Sequence, residues 1–131
     1  LGGPDRVSQK VKGQLTALGV RNIVTIAGQD RFETSALLGT LARLGTDVGG
    51  LGQDGSLAAI ANGLTGFADA LAAGPYLARS GGTLLLSPPA RLPDSLRKFL
   101  AAHHQTLTSV LALGGPSTIS EKVLVAGLAA K

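Results

Sequence analysis

Cysteine, methionine and tryptophan are absent from this chain of 131 residues, and other rings are scarce, with one tyrosine and three phenylalanines. Without cysteine there is no disulfide framework, zinc finger, thiol nucleophile or iron–sulfur cluster. With one tyrosine, three phenylalanines and no tryptophan, no stacking platform for single-stranded nucleic acid is expected. Charged residues make up only 15% of the chain against 44% apolar residues, a balance that excludes disorder driven by charge. No apolar run reaches the roughly 18 residues that a membrane-spanning helix needs, so membrane insertion is not expected. The sequence starts at Leu1 without a basic and apolar leader, and the expectation is a processed product or excised fragment whose export signal lies outside it.

What is present suits one domain with one hydrophobic core. Twelve lysines and arginines against eight acidic residues give a formal net charge of +4, which favours weak attraction to polyanions. The basic residues Arg21, Arg31, Arg43, Arg79 and Arg91 are scattered, and only Arg97 and Lys98 are adjacent. Nucleic-acid binding, which needs a basic cluster or stripe, is therefore not expected.

The most informative feature is an internal repeat: LGGPDRVSQKV at Leu1 to Val11 returns as LGGPSTISEKV at Leu113 to Val123. Residues 1–20 are expected to be the tail of a preceding repeat, and residues 21–131 one complete repeat, the two packed together as a single domain.

Between the two copies, short apolar runs alternate with helical patterns. Candidate strands are Ile23 to Ala27, Leu57 to Ala61, Thr83 to Leu86 and Ser109 to Leu113, each too short for a helix and bounded by turn formers. Candidate helices are Ser8 to Leu18, Phe32 to Leu44, Phe67 to Ser80, Pro93 to His104 and Ser120 to Ala130, with Ser8 and Ser120 as N-caps and Pro93 opening the fourth. This alternation predicts an α/β domain of three layers around a mainly parallel, four-stranded sheet. The stretch Thr46 to Ser56 satisfies G-x-G-x-x-G but follows a helix and precedes a strand, so it reads as a glycine-rich connection rather than a dinucleotide loop.

In such a sheet, ligands gather beyond the carboxyl ends of the strands, beside helix N-termini. Four loops are expected there: Gly28 to Arg31, Asn62 to Asp69, Ser87 to Pro89 and Gly114 to Pro116. Candidate ligand-binding residues are Asp30, Arg31, Asn62, Asp69, Ser87, Gly114 and Gly115. Arg31 suits a phosphate or carboxylate held by two hydrogen bonds, or else an ion pair with Asp30 or Asp69 that braces the loop. Asp69 suits either a helix-start buttress or a ligand contact. The glycines suit a tight turn that also lets a ligand reach the backbone.

An enzyme is not expected. No G-x-S-x-G elbow, P-loop or metal-ligand spacing occurs, and neither a cofactor nor a metal is called for. His103 and His104 are adjacent, point in different directions on a helix, and read as solvent-facing.

At these same residues the chain resembles the cell-wall-binding repeat 2 family of secreted bacterial proteins. The motifs are AGQDRFETS from Ala27, GFADALAAGP from Gly66, LLLS from Leu84 and LGGPSTIS from Leu113. Thr25 stands where an arginine often precedes the first of these, Thr83 where a proline often precedes the leucine triplet, and Tyr76 in place of a common leucine. The resemblance implies a Rossmann-like or toprim-like fold, usually in three tandem copies. It also implies secretion to the cell wall or surface and noncovalent attachment to an anionic polysaccharide or teichoic-acid-like polymer. Asp30 and Arg31 fall on the family's D-R pair and Asp69 on its D-A-L aspartate. Leu84, Leu85 and Leu86 fall on a triplet implicated in polymer binding, although the residues themselves read as a core strand. Other copies of the repeat are expected partners, with a homotrimer as one arrangement. The competing readings are a self-assembly module of a surface protein and a sugar- or nucleotide-processing enzyme.

Overall fold

A computed structural model describes residues 1–45, 50, 52–65 and 67–130. In chain order the elements are α1 (Gln9–Ala17), α2 (Arg31–Arg43), β1 (Leu57–Asn62), α3 (Ala68–Arg79), β2 (Thr83–Ser87), α4 (Asp94–Ala102), β3 (Ser109–Ala112) and α5 (Glu121–Ala130). The class is α/β as expected, but the sheet has three strands, in the order β2-β1-β3, all parallel.

The missing fourth strand is Ile23 to Ala27. Val24 is 74% exposed and no ladder forms there. The Ile26 carbonyl instead accepts the N–H of Gly2, 2.9 Å away, which ties this extended segment to the N-terminal tail. At the free edge of β2 a side chain partly replaces a strand: the Leu86 N–H donates to Ser35 Oγ at 2.9 Å, and Ser35 donates to the Phe32 carbonyl at 2.7 Å.

β1 lies between both layers, which is why LAAIAN is apolar at consecutive positions and buried throughout. One face carries Ala58, Ile60, Leu85 and Val110 under α2, α4 and α5, where Leu96, Phe99, Leu100 and Val123 complete the larger core. On the other face Leu57 and Ala59 meet Leu77 of α3, with Leu84 packed alongside. The leucine triplet of β2 is therefore divided: Leu85 is fully buried in the larger core and Leu84 turns to α3.

α1 differs from the other helices in burying nothing. Ser8 caps it by accepting the Val11 N–H at 3.4 Å. The expected equivalent at Ser120 takes another form, because its hydroxyl is buried without a partner among the described residues and its carbonyl accepts the Val123 N–H at 2.9 Å. Of Thr46 to Ser56, residues 46–49 and 51 lie outside the described residues.

Candidate functional site

Parallel strands bring the ends of β1, β2 and β3 to one edge, and each strand leads through a loop into a helix whose N-terminus faces that edge. The loops at Asn62, Ser87 and Gly114 therefore meet there as expected. The loop from Gly28 to Arg31 follows no strand, yet Arg31 brings it to the same edge. One guanidinium nitrogen of Arg31, Nη1, donates to the Gly63 carbonyl at 2.8 Å, just beyond β1.

This contact corrects the expected ion pair. Among the described residues Arg31 pairs with neither Asp30 nor Asp69, and it braces the loop through a carbonyl. Asp30 is occupied at the start of α2, where Oδ1 accepts the Glu33 N–H at 2.8 Å while Glu33 reaches back to the Gln29 N–H. The pair forms a reciprocal cap that satisfies two donors otherwise left open. Gly28 packs close above it, since a Cβ there would lie 2.6 Å from Glu33 Cβ.

Asn62 is 5% exposed and organises the turn after β1, its Oδ1 accepting the N–H groups of Leu64 at 2.8 Å and Thr65 at 3.3 Å. Ser87 is fully buried, and its hydroxyl lies 3.0 Å from both the Pro88 and Arg91 carbonyls. Its own carbonyl accepts the Gly63 N–H at 2.9 Å, so the β1 and β2 loops are held together. Asn62 and Ser87 thus set the shape of the edge from beneath.

Asp69 and the glycine turn are more open. Asp69 lies in the first turn of α3, but the cap position is Phe67 and makes no side-chain cap hydrogen bond. Among the described residues the Asp69 carboxylate has no hydrogen-bond or ion-pair partner. It lies against Gly114, where a Cβ would approach Oδ2 to 2.6 Å and where φ is +91°, so the turn needs glycine for space and for conformation. The N–H groups of the exposed Gly114 and Gly115 also lack partners among the described residues.

Sequence reasoning missed Ser35, which joins α2 to β2 beneath this edge. Its signal was the helical spacing of Phe32, Ser35, Ala36 and Gly39, which places the serine on the buried face. It also misread His103, which is half-buried rather than solvent-facing. The imidazole packs on Phe99, with ring centroids 4.6 Å apart, and lies near Arg43 at the opposite end of the sheet. Burial first, and then the Arg43 charge, hold its pKa below the ordinary imidazole value. His104 remains exposed, with Nδ1 2.8 Å from the Ala101 carbonyl.

Among the described residues the edge thus presents the Arg31 guanidinium, the open Asp69 carboxylate and a turn with unpaired N–H groups, over a layer of buried polar braces. This defines a binding module of the three-layer α/β class. Residues 25–124 match the family model "Cell wall binding domain 2 (CWB2)", and the chain belongs to that family. It is therefore a cell-wall-binding domain and its place is the cell wall or cell surface.

Two solved structures are similar in fold. Cwp8 from Clostridium difficile matches with a TM-score of 0.74 and 24% identity, over 99% of this chain and 19% of that one. Cwp6 from Clostridium difficile matches with a TM-score of 0.81 and 26% identity, over 95% of this chain and 18% of that one. The chain thus spans less than a fifth of either. No curated protein matches it.

Proposed function

We propose that this module anchors a secreted bacterial protein noncovalently to the wall by binding an anionic secondary polymer, a polysaccharide or teichoic-acid-like chain, at the strand-end edge. The observation that carries the reading is the setting of Arg31. One arm of its guanidinium is fixed to the Gly63 carbonyl, so the remaining donors are held at an exposed edge ready for a phosphate or carboxylate. The Gly114 and Gly115 N–H groups supply further donors, and the open Asp69 carboxylate accepts from sugar hydroxyls. Asp30, Asn62 and Ser87 act by holding the loops in place. The net charge of +4 favours the approach of a polyanion.

The same arrangement supports binding rather than catalysis. The Ser87 hydroxyl, buried and turned toward two carbonyls, is not poised as a nucleophile. Residues 1–20 belong to the tail of a preceding repeat and residues 21–131 form a complete one. Neighbouring copies, in tandem or as a homotrimer, are the second class of partner.

Retention on purified cell wall, measured before and after the anionic polymer is stripped away, tests the anchoring. The expected result is retention lost on stripping and weakened by salt. Equal retention on stripped wall overturns the polymer reading.

A further inference from the structure

The internal repeat is structural as well as sequential. In the C-terminal copy the Gly115 carbonyl accepts the N–H groups of Thr118 at 2.8 Å and Ile119 at 3.1 Å. In the N-terminal copy the Gly3 carbonyl accepts those of Arg6 at 2.9 Å and Val7 at 3.0 Å, the same positions of the motif. Gly2 and Gly114 share a positive φ, +103° and +91°. Each turn leads into a helix, α1 in one copy and α5 in the other.

The two helices differ in what they cover. In α5, Val123 is fully buried, Gly127 is buried and Ala130 packs on the larger core, with Ile119 ahead of them 3% exposed. The repeat places Val7, Val11, Leu15 and Leu18 at the same positions of α1 and its flanks. There Val11 is 43% exposed, Leu15 37% and Leu18 82%. Val11, Leu15 and Leu18, with Gln14 and Ala17, border an open apolar hollow. The α1 face thus has the spacing of a sheet-covering helix and, among the described residues, no sheet beneath it.

One position limits which sheet it fits. A Cβ at Gly127 would lie 3.3 Å from Ile60 Cδ1, 3.6 Å from Val110 Cγ1 and 3.7 Å from Leu100 Cδ1, so a side chain that extends beyond Cβ toward the sheet meets these three residues and must displace them. Leu15 stands at that position in α1. The carbons that leucine carries beyond Cβ equal in number those removed by Ile→Ala, so a smaller residue in place of Ile60 makes the two surfaces complementary. A second copy of this chain does not meet that condition, and its own α5 already covers its sheet.

We propose that α1 is the closing helix of another domain of this fold, seated in the α5 position on a non-identical repeat that carries a residue smaller than isoleucine where this chain has Ile60. The proposal rests on the repeat organisation advanced above and not on the polymer, so it stands or falls separately from wall binding. Leu15 then acts as a specificity residue that limits which sheets α1 can close.

The test extends the whole chain at its N-terminus with a duplicate of residues 21–112, so that a copy of β3 runs directly into Leu1 as β3 runs into Leu113. Hydrogen exchange of the α1 amides is compared among the unextended chain, the plain extension and an extension with Ile60→Ala in the duplicate. The expected result is roughly a hundredfold gain in α1 protection with Ile60→Ala, and a smaller gain with Ile60 retained. Equal protection in both extensions overturns the steric selection by Leu15. A folded duplicate with α1 as unprotected as in the unextended chain overturns the docking. A further extension keeps Ile60 and carries Leu15→Gly, which restores the glycine of α5. A duplicate that stays unfolded with this variant as well overturns the proposal, because the tail then fails to complete the sheet.

Discussion

Arg31 and Gly63 are 32 positions apart in sequence, and the 2.8 Å hydrogen bond between them carries the start of α2 to the ends of the strands. The segment that sequence periodicity makes a strand plays no part in this. The Arg31 side chain joins its loop to the β1 end instead, while Ser35 covers part of the β2 edge that a fourth strand was expected to occupy.

Arg31→Ala is therefore expected to weaken retention on purified wall by roughly ten- to a hundredfold, the effect of about 1.5 to 3 kcal/mol lost with a charged hydrogen bond. Arg31→Lys should recover only part of this, since an ammonium cannot hold the Gly63 carbonyl and a bidentate anion in one plane. Retention assays on variants shown by circular dichroism to be folded check it. Unchanged retention by folded Arg31→Ala removes Arg31 from the site.

Gly39→Ala should destabilise, although alanine ordinarily improves a helix interior. A Cβ there would lie 2.5 Å from Thr83 Cγ2 and 3.1 Å from the Phe99 ring. Overpacking of this kind costs about 1 to 3 kcal/mol. Adding Thr83→Ser, which deletes the obstructing methyl, should restore part of the loss. Urea denaturation of the two single variants and the double variant gives the coupling directly.

Core and surface leucines should separate clearly. Leu100 is fully buried between α4 and the sheet, whereas Leu71 on α3 is 76% exposed. Leu100→Ala is expected to cost about 2 to 5 kcal/mol and Leu71→Ala within about 0.5 kcal/mol of nothing. Thermal melts decide between this and a core lying on the other side of α3.

Acid should weaken the fold through His103. Its pKa is lowered in the folded state by burial and by Arg43, so the neutral imidazole is the form the fold prefers. The associated stability is fully present above the unfolded value of roughly pH 6.5 and is lost as pH falls through the lower folded value. Asp54 and Thr106 line the same cavity as His103, and Asp54 acts on Arg43 in the opposite sense to burial. His103→Gln should flatten the stability profile between roughly pH 7 and 5. An unchanged slope in that variant assigns the acid sensitivity to other groups.

Much of the fold was legible along the chain. The apolar run Leu57 to Ala61 read as a buried strand, which the structure extends to Asn62, and SPP and GGP marked where strands give way to helices. The reciprocal cap at Asp30 and Glu33 is also a local pattern, in residues three positions apart, although the sequence reading named side-chain caps only at Ser8 and Ser120. Ile23 to Ala27 has the same apolar character, but a strand needs a neighbouring ladder, and only the folded chain decides whether one is within reach. Tertiary structure likewise decided that Arg31 meets a carbonyl instead of a carboxylate, that Ser87 is sealed beneath the edge, and that His103 lies on Phe99. The repeat in the sequence established that α1 and α5 are the same kind of helix. Only the three-dimensional arrangement decided that one covers a sheet and the other does not, because periodicity defines a helix's apolar face while the space opposite that face is made by residues far away in the chain.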